Sequence, residues 1–437
     1  MSGYLIGIAL KSLRRNPVLT ALLVGGVGLG IGVSTTFVTA HYILSLNPIP
    51  HKSEVLFYVE MDSWDPNRGW SDDDPTAVPN QITYRDMMEI LRSDIPTYQG
   101  GSFKASLFLH PDPQVGRPYK VLARMCMADF FPLFDVPFAY GGGWDRPADQ
   151  APEPVIVLSH ETNQKLFGGE NSIGRLVRVE DRDFKVVGVL GPWRPLPKFY
   201  DPHNGPFERP EDIYLPFQHF HGFKVRSAGN TSNWKAFDWT DDDEYIASEA
   251  VWIQFWVQLD TPEQHDAYLS FLDAYVNGQK KVGRMLRPTN NKLLPVMEWL
   301  EEMEVVPEEA TSLMLISLFF LWICALNLIG ILLGKFLARA PEVAVRRAMG
   351  ASRRSIFVQY LVECETVAML GGILGIGLAV LGLEAVNRLF EVSFNFQLDL
   401  KMLVVAVLLS LAAGVVAGVY PAWRVCAIPP AVFLRER

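Results

Sequence analysis

The chain has 437 residues, 49% of them hydrophobic, and a formal net charge of −9, enough for two or three folding units. Its apolar residues gather at the two ends in runs too long for a soluble domain, and the acidic balance offers no footprint for nucleic acid. Only Cys126 of the four cysteines lies in the long middle segment, so that segment has no internal disulfide and must fold on its own core.

Before the first apolar run, Ile6, Leu10 and Leu13 share one helical face and Lys11, Arg14 and Arg15 the other. Residues 1–16 therefore read as an interfacial helix or as a charged flank on the inner leaflet. From Asn16 to Pro50 there are 35 residues without Asp, Glu, Lys or Arg; Ala310–Gly334 adds 25, Thr366–Leu383 adds 18 and Met402–Trp423 adds 22. About 20 apolar residues span a bilayer as helix, so four transmembrane helices are predicted, over 17–46, 310–338, 357–388 and 401–423. The first run is too long for a signal-peptide core and lacks a clear small-residue cleavage site, so it reads as an anchor. The third is short, and Glu365 and Glu384 at the two interfaces would complete it.

The fold class that follows is an α-helical membrane protein with a large α+β extracytoplasmic domain, 47–309, inserted between helices one and two. That segment holds 41 acidic and 25 basic residues, a net of −16, against 7 acidic and 14 basic elsewhere, a net of +7. Basic residues precede helix one (Lys11, Arg14, Arg15), fill the 339–356 connection (Arg339, Arg346, Arg347, Arg353, Arg354) and populate the 424–437 tail (Arg424, Arg435, Arg437). The positive-inside rule then places both termini and the 339–356 connection in the cytoplasm, and 47–309 and the short 389–400 loop outside.

Within 47–309, predicted strands are Val55–Glu60, Tyr119–Met125, Val155–Leu158, Leu176–Val179, Phe184–Val189, Ile213–Pro216 and Trp252–Leu259, with helices at Ile82–Arg92, Ser159–Phe167 and Glu263–Val276. Loops rich in Pro, Gly and Asp separate them at Asp62–Asn80, Gly191–Pro210 and Arg226–Glu244, leaving room for two subdomains. Nine of the eleven tryptophans fall here, and Trp64, Trp70, Trp234 and Trp239 lie in polar loops. They are candidates for a partner or substrate surface, against the plainer reading of packing between loops and sheet.

Catalytic patterns fail. No Gly-x-x-x-x-Gly-Lys-Ser/Thr occurs, and Gly141-Gly142-Gly143-Trp144 lacks the lysine and reads as a turn. His160-Glu161 begins like a zincin helix, but Gln164 stands where the second zinc ligand belongs. The runs Asp72–Asp74 and Asp241–Glu244 lack calcium-loop spacing and read as solvated loops. No metal, catalytic residue or bound cofactor is expected.

In helices three and four, Gly371, Gly372, Gly375 and Gly377, and Gly414 and Gly418, permit close helix packing. Glu363 and Glu365 open helix three, with Arg346, Arg347, Arg353 or Arg354 as expected ion partners. Between helices two and three, Pro341 starts a short helix, Glu342 suits its positive end and Gly350 ends it.

These residues resemble the MacB/FtsX family of ABC transporter permeases. The resemblance rests on Asn327-Leu-Ile-Gly-Ile-Leu-Leu-Gly through Glu342-Val-Ala-Val-Arg-Arg-Ala-Met-Gly-Ala to Gly377, on Gly418-Val-Tyr-Pro-Ala-Trp-Arg424, and on Pro429-Pro-Ala-Val-Phe-Leu-Arg435. In the middle segment, Met127-Ala-Asp-Phe-Phe-Pro-Leu-Phe, Val155-Ile-Val-Leu-Ser, Lys165-Leu-Phe-Gly, Ile173-Gly-Arg and Phe184-Lys-Val-Val-Gly-Val-Leu190 are similar to the family's periplasmic core domain.

The resemblance implies a non-catalytic permease in the bacterial inner membrane, paired with a second permease subunit as homo- or heterodimer. It would be driven by an ABC ATPase dimer on separate chains that holds ATP and Mg²⁺. Glu342, Val343, Arg346, Arg347, Ala348, Gly350 and Ala351 match the segment that couples to the ATPase. Motion would pass to the periplasmic domain, expelling a periplasmic substrate by mechanotransmission, with a periplasmic adaptor as a further partner class. An FtsX-like scaffold that activates an extracytoplasmic hydrolase is the alternative. Ala340-Pro341 replaces the family's frequent Thr-Arg, and Ala344 its frequent Gly.

Overall fold

The structure, a computed structural model, describes residues 7, 11–111, 117–223, 226–238, 240–389 and 396–427. Ile6, Leu10, Trp239 and the 429–435 motif lie outside the described residues. The chain divides into two compact units, Leu46–Val305 and the flanking Met1–Ser45 with Val306–Arg437.

Among the described residues the flanking unit holds four helices long and apolar enough to cross a bilayer: Pro17–Leu44, Glu308–Leu337, Arg353–Leu389 and Leu400–Ala427. Their contacts are built on glycine. A Cβ on Gly28 or Gly32 of the first helix would sit 2.8 Å from Leu374 or 2.7 Å from Leu378 of the third. A Cβ on Gly371 or Gly375 of the third would reciprocally sit 2.8 Å from Val27 or Ile31. Gly372 meets Ser410 of the fourth helix, and Gly414 and Gly418 meet Ala368 and Cys364, each within 2.7 Å of a notional Cβ. Gly377, expected in the same patch, has nothing within 4 Å of a notional Cβ among the described residues. Hydroxyls reinforce the seams: Ser34 donates to the Ser317 carbonyl at 2.7 Å and Ser410 to the Ala368 carbonyl at 2.6 Å, satisfying polar groups that lipid could not.

The other unit is built on one ten-stranded mixed sheet: β1 Leu56–Glu60, β2 Tyr98–His110, β3 Tyr119–Cys126, β4 Phe138–Gly141, β5 Val155–Leu158, β6 Leu176–Val179, β7 Arg182–Leu190, β8 Ile213–Pro216, β9 Gln254–Gln258 and β10 Lys292–Pro295. The order is β10-β1-β9-β2-β3-β8-β5-β7-β4, with β6 bridging β2 and β7. Only β3–β8 and β5–β7 among the described pairs are parallel. A single continuous sheet replaces the two subdomains for which the sequence left room.

Both faces of the sheet are covered, so β1, β5, β8 and β9 bury every residue and alternate between two cores. Phe57, Val59, Ile156, Leu158, Ile213, Leu215, Phe255 and Val257 point into one core. Leu56, Tyr58, Val155, Val157, Tyr214 and Trp256 point into the other. The helix Pro262–Lys281 closes the first core through Tyr268, Leu272 and Val276, and a capping box of Thr261 and Gln264 fixes its start.

The second core is covered by the loop that precedes β8. Trp256 and Trp299 donate their indole N–H groups to the carbonyls of Tyr200 and Phe199, at 3.3 and 3.1 Å. Beneath that loop lies a wholly buried charge cluster. Arg124 of β3 pairs with Asp201 at 2.5 Å and with Glu211, and Lys198 stands 3.7 Å from Glu211. Burial opposes ionisation of Glu211, but Arg124 and Lys198 outweigh it and hold the carboxyl at about 2. Nothing in the local sequence pattern announced this cluster.

Three strands escaped the sequence reading. β2, the longest, is interrupted in pattern by Gly100-Gly101 and Lys104. Gly101 is required, because a side chain there would strike Met87. β4 is short and largely exposed, and β10 is a sheet edge. The run Asp241–Glu244 is a helix start rather than a loop: Asp241 accepts from the backbone N–H groups of Asp243 and Glu244 and caps helix Asp242–Ala247.

Candidate functional site

The connection between the second and third membrane helices forms a helix, Ala340–Ala348. Proline in its first turn supplies the fixed φ the start needs. Gly350 takes φ +100° and donates to the Arg347 carbonyl at 3.1 Å, while Ala351 donates to the Arg346 carbonyl at 3.0 Å. That pair of bonds is a Schellman ending, which explains why glycine and then a small residue occur there. The two residues shape the turn.

Ala340, Val343 and Ala344 are buried on one face. The opposite face exposes Glu342, Val345, Ala348 and Met349, with Met349 76% exposed. Val343, expected to touch a motor subunit, is therefore an anchor to the membrane bundle. Val345 and Met349, not singled out in the sequence, lie on the exposed face; the spacing of Ala340, Val343 and Ala344 marks the buried face and by exclusion the open one. Glu342 pairs with Arg346 across one helical turn at 2.5 Å. Arg346 also reaches Gln359 of the third helix at 3.4 Å, and Arg347 the Cys426 carbonyl of the fourth at 3.3 Å. The helix is tied to two membrane helices.

The carboxylate at the head of the third helix pairs differently from expectation. Glu363 is buried and meets Lys335 at 2.6 Å and Arg339 at 3.5 Å, both from the second helix and its end. Ser12 donates to it at 2.5 Å and accepts from Arg339 at 2.7 Å. The cluster thus joins the segment before the first helix, the second helix and the third. Arg353 and Arg354 are exposed. Glu365 lies against Gly414, where a Cβ would come 2.9 Å from its carboxylate, and its oxygens have no hydrogen-bond partner among the described residues.

In the sheet unit, Trp64, Trp70 and Trp234 are half-buried. Trp64 and Trp70 pack edge to face at 4.6 Å, and the Trp234 indole donates to the Ser63 carbonyl at 3.2 Å, joining the 62–80 and 226–244 loops. Arg287 fastens the first loop through Asp62 at 2.7 Å and the Pro75 carbonyl at 2.7 Å. The other described tryptophans of this unit pack: Trp144, Trp252, Trp256 and Trp299 are buried, and Trp193 stacks on Tyr200 at 5.3 Å. Among the described residues no three His, Cys, Asp or Glu side chains converge as a metal site would require.

Four membrane-spanning helices, with a sheet domain between the first and second, define a membrane-anchored permease with one large extracytoplasmic domain. The chain belongs to the MacB/FtsX family: residues 20–270 match the MacB-like periplasmic core domain and residues 314–430 the FtsX-like permease C-terminal domain. It is 26% identical over 311 residues to the pyoverdine export ATP-binding/permease protein PvdT of Pseudomonas aeruginosa, covering 71% of this chain and 41% of that protein. It is 32% identical over 309 residues to the macrolide export ATP-binding/permease protein MacB of Haemophilus ducreyi, covering 69% and 38%. The chain thus spans less than half the length of these curated relatives. The crystal structure of the periplasmic region of MacB from Actinobacillus actinomycetemcomitans aligns with 59% of this chain and 97% of that one, at 11% identity and a TM-score of 0.36.

Proposed function

We propose that the chain is the transmembrane permease subunit of an export-type ABC transporter in the bacterial inner membrane. ATP hydrolysis on a separate ATPase subunit would tilt the connecting helix Ala340–Ala348. The membrane helices would carry that motion to the extracytoplasmic domain, which moves a periplasmic substrate by mechanotransmission. Both termini and the connecting helix face the cytoplasm in this reading, and two permease subunits meet in one complex with an ATPase dimer.

The observation that carries the proposal is the connecting helix itself. It exposes Glu342, Val345 and Met349 together, while its other face and its arginines are fixed to the bundle. An exposed apolar pair beside a charge suits a protein partner, and a rigidly tied helix transmits displacement where a loose loop would absorb it. The Glu363 cluster supports the same reading, because three segments held by one buried carboxylate move together. The sequence contains no P-loop, and the relatives' names pair permease with ATP binding for export.

The test is Glu342→Lys combined with Met349→Asp. The variant should insert and unfold at the wild-type temperature yet lose ATP-dependent activity of the complex. Full ATP-driven activity in that variant would remove the coupling assignment.

A further inference from the structure

A cavity of about 660 Å³ opens between the 70–80 loop, the end of β1, and the helix Val296–Glu302 that follows β10. Its walls carry six carboxylates, Glu60, Asp74, Glu298, Glu301, Glu302 and Glu304, and no basic residue. Lys292 of β10 reaches in from beside it, 2.7 Å from Glu302 and 3.5 Å from Glu60. One ammonium against six carboxylates leaves a strongly negative basin.

The cluster alone would be a solvated face, but two features give it the character of a site. Glu60 is only 1% exposed, yet its Oε2 accepts no hydrogen bond; Lys292 at 3.5 Å is too distant for a good one. The Asn80 side-chain oxygen on the same wall is likewise buried and without a donor. Both unfilled atoms are acceptors, so they ask for a ligand that donates. Trp70 supplies an aromatic wall and is braced edge-on by Trp64 at 4.6 Å. Ammonium beside an indole face and carboxylates is a favourable combination. The volume falls within the range of small-molecule sites, roughly 300–1,000 Å³. A metal ion fits poorly, because among the described residues no three of these carboxylates converge.

We infer that this cavity is a binding site for a small organic amine carrying an aromatic or aliphatic body, its ammonium directed at Glu60 and Asn80 and its apolar part against Trp70. The inference deepens the export reading by naming a cargo class, and rests on that reading only for the word cargo. Burial pushes the Glu60 carboxyl up to about 8, with Lys292 opposing, so near neutral pH the group is largely protonated, and an arriving ammonium displaces that proton and pairs with the carboxylate it leaves.

The test is calorimetric titration of the full chain in mild detergent with 4-phenylbutylamine, and with 4-phenylbutanol as its uncharged counterpart. The amine should bind saturably, and the alcohol at least about tenfold more weakly. Trp70→Ala, and separately Glu298→Gln with Glu301→Gln, should each weaken the amine by about tenfold while unfolding at the wild-type temperature. These positions line the surface, so the variants keep the fold even if a change at buried Glu60 does not. Absence of saturable heat, equal binding of amine and alcohol, or undiminished binding in both variants would overturn the site. Calcium binding lost in the carboxylate variant, without amine binding, would overturn it in favour of a metal. The titration uses neither ATP nor a partner, so amine binding that persists in Glu342→Lys with Met349→Asp separates failure of this site from failure of the export reading.

Discussion

Replacing Arg124 by methionine leaves two carboxylates, Asp201 and Glu211, in a fully buried space with one cation between them. In the wild type the guanidinium pairs with both, faces Gln254 at 3.4 Å, and lies over the Tyr200 ring at 5.1 Å. Removing one member of a buried ion cluster costs ~3–5 kcal/mol, because the abandoned charge has no water to turn to. Lys198, 3.7 Å from Glu211, offsets part of that, which places the expectation at the low end, ~3 kcal/mol. For a unit of this size such a loss lowers the unfolding midpoint by ~6–12 °C. Intrinsic fluorescence reads it directly, since Trp256 and Trp299 are pinned to the loop that covers the cluster. The acid limb gives a second reading. Glu211 is held at about 2 from an ordinary 4.5, so its contribution is present above pH 4.5 and lost as pH falls toward about 2. In Arg124→Met that depression disappears, and the stability gap between variant and wild type should narrow on going from neutral to acid pH. A midpoint shift under about 2 °C, or a gap that widens in acid, would refute the reasoning.

Gly375→Ala forces a methyl against Ile31, where the notional Cβ stands 2.8 Å away; a loss of ~1–3 kcal/mol in detergent unfolding is expected. Gly377→Ala, with open space around it, should instead be neutral or stabilising by up to ~1 kcal/mol; equal effects at the two sites would contradict the packing described. Gly350→Ala places a side chain at φ +100° and should fray the end of the connecting helix, read as faster amide exchange confined to 346–351. Glu60 has its carboxyl raised by burial from 4.5 to about 8, so its contribution is full below pH 4.5 and lost as pH climbs through about 8. Glu60→Gln should therefore flatten that slope, and an unchanged profile would show that Glu60 does not titrate there.

What could be read from the sequence follows what a short window of residues can determine. A bilayer demands uninterrupted apolar helix, so the four spans stand out as charge-free runs. Strands buried on both faces appear as Val, Ile and Leu runs, as in Val155–Leu158 and Ile213–Pro216. β2 was hidden because Gly101 answers to Met87 and Gly100 to Met127, both outside the strand, rather than to local pattern. Ion partners were misassigned for the same reason: which arginine reaches Glu363 depends on how the helices rotate against each other. Lys335, 28 residues away in sequence, faces it, whereas Arg353 on the same helix does not. Trp144, Trp256 and Trp299 proved buried because the second face of the sheet is roofed by a loop, and that covering is invisible until the strands are ordered. The connecting helix shows the intermediate case. Its ends were legible in Pro341 and Gly350, while its exposed stripe needed the buried face to be identified first.

The measurement that tests the central claim most directly is purification of the tagged chain in mild detergent, with identification of every protein that accompanies it. A stoichiometric P-loop ATPase should accompany the wild type and be lost from Glu342→Lys with Met349→Asp. Recovery of the chain alone, or only with an extracytoplasmic enzyme, would contradict it.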